Sequence, residues 1–175
     1  MKVTASKLLR ELDRAPLSQS MHRALEVARR YSDAAFLHWL ELELFGYFSS
    51  NPALSDRDTV PVYRTVAGEH GDEAGRPLVL SNPDLGFVYE TRVRWGVAEL
   101  EEYQRRGGHI TVREPVSANL ILQHLGVEVT RYKFDSRQLV GVLSAIRARL
   151  AENLHRYEHM PATATARRRT TRFSR

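Results

Sequence analysis

Acids, histidines and arginines are the residues whose spacing could carry chemistry in this chain, and its 175 residues include no cysteine. Disulfides, thiolate nucleophiles and cysteine-held metals are therefore excluded. His155 and His159 stand four apart in a helix-patterned segment, a spacing at which two imidazoles can share a metal. A hydrolytic zinc centre also needs an embedded glutamate and a further ligand, and Arg156 lies between these two. The plainer reading is a solvated helix end whose histidines complement the dipole. Glu99, Glu101 and Glu102 point to different faces of one helix, so they read as a solvated surface and not as acids converging on a cation. Asp56, Asp58, Glu69, Asp72 and Glu73 fall in loop-like stretches without the spacing of a calcium or magnesium site. Phosphate-loop, dinucleotide and nucleophile-elbow patterns are all missing. No metal, no cofactor and no catalytic set is expected.

Two features remain. Glu43 sits four residues after Trp39 in the most apolar helical stretch, on a face that the surrounding pattern buries. A buried carboxylate needs a cation or hydrogen-bond donors. Arg64, in the Val- and Tyr-rich stretch from Val60 to Val66, is the expected partner, most simply in a structural ion pair, with a ligand or partner site as the alternative. The second feature is a C-terminal cluster, Arg167, Arg168, Arg169, Arg172 and Arg175 with Phe173 among them. Arginines neutralise phosphates and an interleaved aromatic can stack on a base, so nucleic acid is one reading; an acidic protein, or no dedicated role, are the others.

The elements that must position these groups follow from periodicity. Apolar spacing predicts a short helix around Leu8 to Leu12 ended by Pro16, a second over 18–31, and a central buried one from a Ser32 N-cap and Asp33 to Phe45, closed by Gly46. Strands are expected at 60–66, 78–80, 87–93, 109–113 and 127–134, with 68–75 as a turn. Helices are expected at 96–106 and from Pro115 to Gly126. A capping box of Asp135 and Gln138 should open a final helix of about 24 residues, about 36 Å long, with Leu139, Leu143, Ile146, Leu150, Leu154 and Tyr157 on one stripe. The fold class expected is α+β, with N-terminal helices and a long C-terminal helix packed on a small, mainly antiparallel sheet.

Length and charge set the organisation. Residues 1–160 are expected to form one domain and 161–175 a disordered arginine-rich tail. All 21 acidic residues and all but the five tail arginines of the 26 basic ones precede residue 161, so the excess of +5 belongs to the tail. With no stretch of about 20 apolar residues and no secretory leader pattern, no membrane is expected and the cytoplasm is the expected compartment.

Several segments, in order, resemble the AbiTii-type domain of bacterial abortive-infection systems. They are Ala24-Leu25-Glu26-Val27-Ala28-Arg29-Arg30; Trp39-Leu40-Glu41-Leu42-Glu43-Leu44-Phe45-Gly46-Tyr47; Pro61-Val62-Tyr63-Arg64; Val97 to Glu101; and Ile146 to Leu150. The similarity spans about residues 5–160. It implies a part in defence against bacteriophage and brings no catalytic residue with it; Trp39, Glu43, Tyr47, Tyr63 and Arg64 are the structural or partner-site candidates. The leading expectation is a non-enzymatic sensing or protein-interaction module with a partner from the same defence system, any effector activity residing in a separate polypeptide. Alternatives are a nucleic-acid-binding component using the tail, or a nuclease-type toxin, and homo-oligomerisation stays open.

Overall fold

The structure, a computed structural model, describes residues 3–79 and 83–160. The tail arginines and Phe173 lie outside the described residues. The chain divides into two compact units, one drawn from Met1–Asp56, Trp95–Ala98 and Ser144–Arg175, the other from Arg57–Arg94 and Glu99–Leu143.

The first unit is helical. Helix α1 (Ala5–Glu11) starts where Thr4 Oγ1 accepts the Lys7 N–H, and α2 (Leu17–Arg30) starts directly after Pro16. Leu17, Met21, Ala24, Leu25 and Ala28 recur at spacings of three and four and are all buried, so α2 is amphipathic and packs between α1 and α3 (Ala34–Phe45). The junction between α2 and α3 differs from expectation. Ser32 does not cap α3; it takes a left-handed φ of 52°, its N–H bonds Arg29 C=O, and the Asp33 N–H reaches Ala28 C=O. This is a Schellman closure of α2. It moves the N-cap one residue on, where Asp33 Oδ1 accepts the Phe36 N–H at 2.9 Å. The Tyr157 hydroxyl donates to the other oxygen of the same carboxylate. Burial works against the Asp33 charge, but the Tyr157 and Phe36 donors outweigh it and hold the carboxyl below its ordinary value. Burial, then the Asp33 carboxylate, push the Tyr157 phenol up to about 12.

The last helix is shorter than its apolar stripe. A 3-10 turn (Ser136–Gln138) precedes α6 (Leu139–His155), whose 17 residues span about 26 Å. Within the first unit Ile146, Leu150 and Leu154 are fully buried, each contributing about 1.5–3 kcal/mol of apolar transfer. Arg147 donates to the Leu12 carbonyl, tying α6 to the end of α1.

The second unit is built on a four-stranded antiparallel sheet in the order β2-β1-β4-β3: β1 Thr65–Gly71, β2 Glu90–Arg92, β3 His109–Val112 and β4 Arg131–Asp135. Along β4, Tyr132 and Phe134 point inward while Arg131 and Lys133 point outward, the alternation of a sheet with one buried face. Several boundaries depart from expectation. Residues 62–64 form a 3-10 turn after Pro61, because Arg64 N–H closes back on Pro61 C=O, and the strand begins only at Thr65. Gly68 to Gly71 belong to β1 and not to a turn. A Cβ on Gly68 would sit 2.4 Å from Lys133 O, so the glycine marks the close approach of two strands. Beyond β1, Pro77 makes only an isolated bridge to Gly71. Residues 83–89 form a 3-10 stretch, which shortens β2. Helices α4 (Val97–Arg106) and α5 (Pro115–Leu125) lie where periodicity places them; Glu114 caps α5 and Gly126, φ 64°, ends it.

Gln138 does not close a capping box. Asp135 bonds the Arg137 N–H instead, and Arg137 holds the Asp135 carboxyl down at about 2 through side-chain and then backbone hydrogen bonds. The freed Gln138 amide crosses to β1, donating to Ala67 C=O at 2.6 Å and accepting Ala67 N–H at 2.7 Å. The pairing of β1 with β4 stops at Gly68, so this side chain acts as one more strand residue.

Candidate functional site

In the first unit, two of the residues put forward from the sequence, Glu43 and Tyr47, meet where α3 ends. Gly46, at φ 82°, turns the chain out of the helix while its N–H still bonds Leu42 C=O. That reversal brings Tyr47 beside the helix, and its hydroxyl donates to Glu43 Oε1 at 2.8 Å in a buried pair. Asn51, unsuspected from the sequence, completes the corner. Its Nδ2 donates to Gly46 C=O at 2.7 Å and Glu41 C=O at 3.3 Å, while Oδ1 accepts the Ala53 N–H at 3.0 Å. Asn51 stands in a run of turn formers, where nothing in the sequence separates a buried amide from an exposed one. The backbone of Gly96 lies against the same helix end: a Cβ there would meet Leu44 O at 2.2 Å.

Trp39 belongs to a different feature. It is only half-buried, and its ring stacks on Phe36 at 6.1 Å; Phe36 stacks on Tyr157 at 5.9 Å, and Tyr157 on Tyr31 at 4.7 Å. The row joins α3, the end of α2 and the turn after α6 through offset aromatic contact. His155 pairs with Glu158 at 3.1 Å, and α6 ends at His155, so His159 falls outside the helix and the two imidazoles lose their helical spacing. Among the described residues no three His, Asp or Glu side chains gather around a metal-sized site.

In the second unit, Tyr63 and Arg64 lie on the 3-10 turn leading into β1. Arg64 is fully buried; its guanidinium donates to Val93 C=O at 3.2 Å while its own carbonyl accepts the Val93 N–H. Glu43 and Arg64 thus belong to different units, each with a hydrogen-bond partner inside its own. The sequence also gave no sign of His70, buried on the inner face of β1 with its ring 4.9 Å from that of Tyr132. Its Nε2 lies 2.9 Å from Val88 C=O, and a carbonyl only accepts, so this nitrogen carries the proton. Burial pulls the His70 pKa below its ordinary value, against the raising pull of the Val88 bond and of Glu114. The Tyr132 hydroxyl donates to Val66 and Tyr89 carbonyls, and burial, then the charges of Glu114 and Glu90, raise its pKa. Of the clustered acids, Glu102 on α4 accepts from Arg105 and Arg106, and Asp72 holds the Arg76 side chain and N–H across a tight turn.

A small antiparallel sheet with six α-helices among the described residues, and with its buried ionisable groups hydrogen-bonded into the scaffold, defines an α+β module. The chain belongs to the AbiTii family, whose family model matches residues 10–167. Membership associates it with abortive infection and antiviral defence. No curated protein and no solved structure matches it. No helix among the described residues is long and apolar enough to cross a membrane.

Proposed function

We propose that the chain serves abortive-infection defence as a non-enzymatic sensing or regulatory module that works by binding a protein of the same defence system. The observation that carries this reading is the C-terminal end of α5. Leu122, Leu125 and Val127 are 48%, 38% and 39% exposed there, whereas α5 buries only Ile121 fully. Helix α4, of similar length, instead presents Glu99, Arg105 and Arg106 to solvent. A run of exposed aliphatic side chains suits a protein contact. The hydrogen-bonded settings of Glu43, Arg64 and His70 also favour scaffold roles over turnover. The test is the double substitution Leu122→Lys with Val127→Lys, compared with the parent for melting temperature, phage protection and proteins recovered from infected cells. The expected variant melts as the parent does, loses one recovered protein and loses protection. Full protection with an unchanged set of recovered proteins would refute the reading.

A second reading rests on five arginines within nine residues around Phe173. It assigns nucleic-acid contact to the tail, and predicts salt-sensitive retention of DNA or RNA by the full chain that a version ending at Met160 lacks.

A further inference from the structure

The outward face of the sheet carries a feature that neither reading uses. The register sets Glu69 of β1 opposite Lys133 of β4, and Lys133 opposite Thr111 of β3. Arg131, two residues along β4, projects from the same face and lies opposite Gly71. The turn after β1, held by the Asp72–Arg76 bonds, rises at this end and supplies Gly75 and Pro77 as a wall. Together they enclose a half-open hollow of about 220 Å³.

Its chemistry is unlike that of an ordinary solvated sheet face. Directly opposed Glu and Lys side chains commonly pair across strands, yet among the described residues neither Glu69, Lys133 nor Arg131 makes a salt bridge. Arg137 and Arg76, on the neighbouring turns, are by contrast engaged by Asp135 and Asp72. Two cations and a hydroxyl therefore face one hollow, with a single carboxylate beside them. A guanidinium matches a phosphate bidentately, an ammonium adds a point charge, and a threonine hydroxyl donates a further bond. Glu69 can accept from a hydroxyl or amino group attached to that phosphate. The hollow is smaller than the roughly 300–1,000 Å³ of sites that swallow a whole drug-sized ligand. It fits the phosphorylated end of a ligand whose remainder lies in the open.

We propose that the outer face of the sheet binds a phosphate ester, with Arg131, Lys133 and Thr111 on the phosphate and Glu69 on an adjoining hydroxyl. The phosphate can belong to a free nucleotide or to a nucleic-acid backbone, and the test separates these sources. The full chain, with its five tail arginines changed to glutamine to remove their background, is titrated at low salt with a ribonucleoside 5′-monophosphate and with a short single-stranded oligonucleotide. Binding is followed by calorimetry and by the backbone amide resonances of β3 and β4. At least one of the two ligands should shift Thr111, Arg131 and Lys133. Arg131→Gln and Lys133→Gln should each weaken that binding about tenfold or more, the loss of one charge-assisted hydrogen bond. Weakening confined to the monophosphate identifies a nucleotide site, and weakening confined to the oligonucleotide a backbone site. Absence of shifts at millimolar concentrations of both ligands, or shifts that persist unchanged in both variants, overturns the proposal. Since the replaced side chains are exposed, equal melting temperatures keep a folding defect from imitating the result.

Discussion

Asn51 is the most exposing test of how the end of α3 is held. Replacing it with alanine removes the Nδ2 donor to Gly46 and Glu41 and the Oδ1 acceptor for Ala53, while its own N–H to Phe48 C=O survives. Glu41 lies inside α3, so its carbonyl loses least. The Gly46 carbonyl follows a left-handed cap in a buried residue and has no other partner among the described residues. A net hydrogen bond is worth about 0.5–1.5 kcal/mol, and a stranded buried acceptor costs about 1–3 kcal/mol, so Asn51→Ala should lose about 2–4 kcal/mol. For a chain of this size that is a fall of about 4–16 °C in melting temperature. Asn51→Asp sharpens the test, since it keeps an acceptor for Ala53 but sets a carboxylate against two carbonyl oxygens. It should be less stable than Asn51→Ala despite being closer in shape. Urea titration followed by far-UV circular dichroism reads both. The reasoning fails if Asn51→Ala stays within about 0.5 kcal/mol of the parent, or if the aspartate variant is the more stable of the two.

Three further outcomes follow from the same geometry. Because burial lowers the His70 pKa in the fold, the unfolded chain takes up a proton below its ordinary value of 6.5 that the folded one does not. Stability must then decline as pH falls from 7 towards 5, by at most about 1.4 kcal/mol per pH unit for this proton. His70→Gln keeps a donor toward Val88 without titrating and should flatten that decline; identical slopes would show that His70 does not drive it. Gly68→Ala, whose Cβ would stand 2.4 Å from Lys133 O and 2.8 Å from Tyr132 Cζ, should lose about 1–3 kcal/mol and speed amide exchange along β4, and an unchanged urea midpoint would contradict the strand spacing. The ion pair expected from the sequence between Glu43 and Arg64 is open to a double-mutant cycle with Glu43→Gln and Arg64→Gln, where coupling above about 1 kcal/mol supports it and additivity within about 0.5 kcal/mol removes it.

Helices were the legible part of this chain, because apolar spacings of three and four residues report burial directly, as Leu17, Met21 and Ala28 do along α2. Their junctions were not. Ser32 and Asp33 are both good capping residues, and the choice between them was made by the Schellman closure that throws Ser32 into a left-handed conformation. Asp135 and Gln138 fit a capping box by spacing alone, yet Gln138 found two backbone groups of Ala67, 71 residues away, that local pattern could not anticipate. The stripe from Leu139 to Tyr157 was continuous, but a 3-10 turn at one end and a run of hydrogen-bonded turns at the other cut the helix to 17 residues. Periodicity reports which side chains are buried, and not whether the backbone that carries them stays helical.

The candidate sites divide along the same line. Glu43 was legible because a charge inside an apolar helix is anomalous whatever its partner, and the structure gives it the Tyr47 hydroxyl four residues on. Arg131 and Lys133 were legible only as polar residues alternating with Tyr132 and Phe134. What gives them chemical meaning is register, which places Glu69 and Thr111 on either side of Lys133 although they stand 64 and 22 residues away in the chain. Two neighbouring constraints fix that register. The outsize approach at Gly68 admits no side chain between β1 and β4, and a slip of one residue would turn Tyr132 and Phe134 out to solvent and bring Arg131 and Lys133 into the core. The features that secure the sheet therefore also gather its outward charges, so a change that loosens the Gly68 contact should weaken phosphate binding at a distance from any residue that touches the ligand.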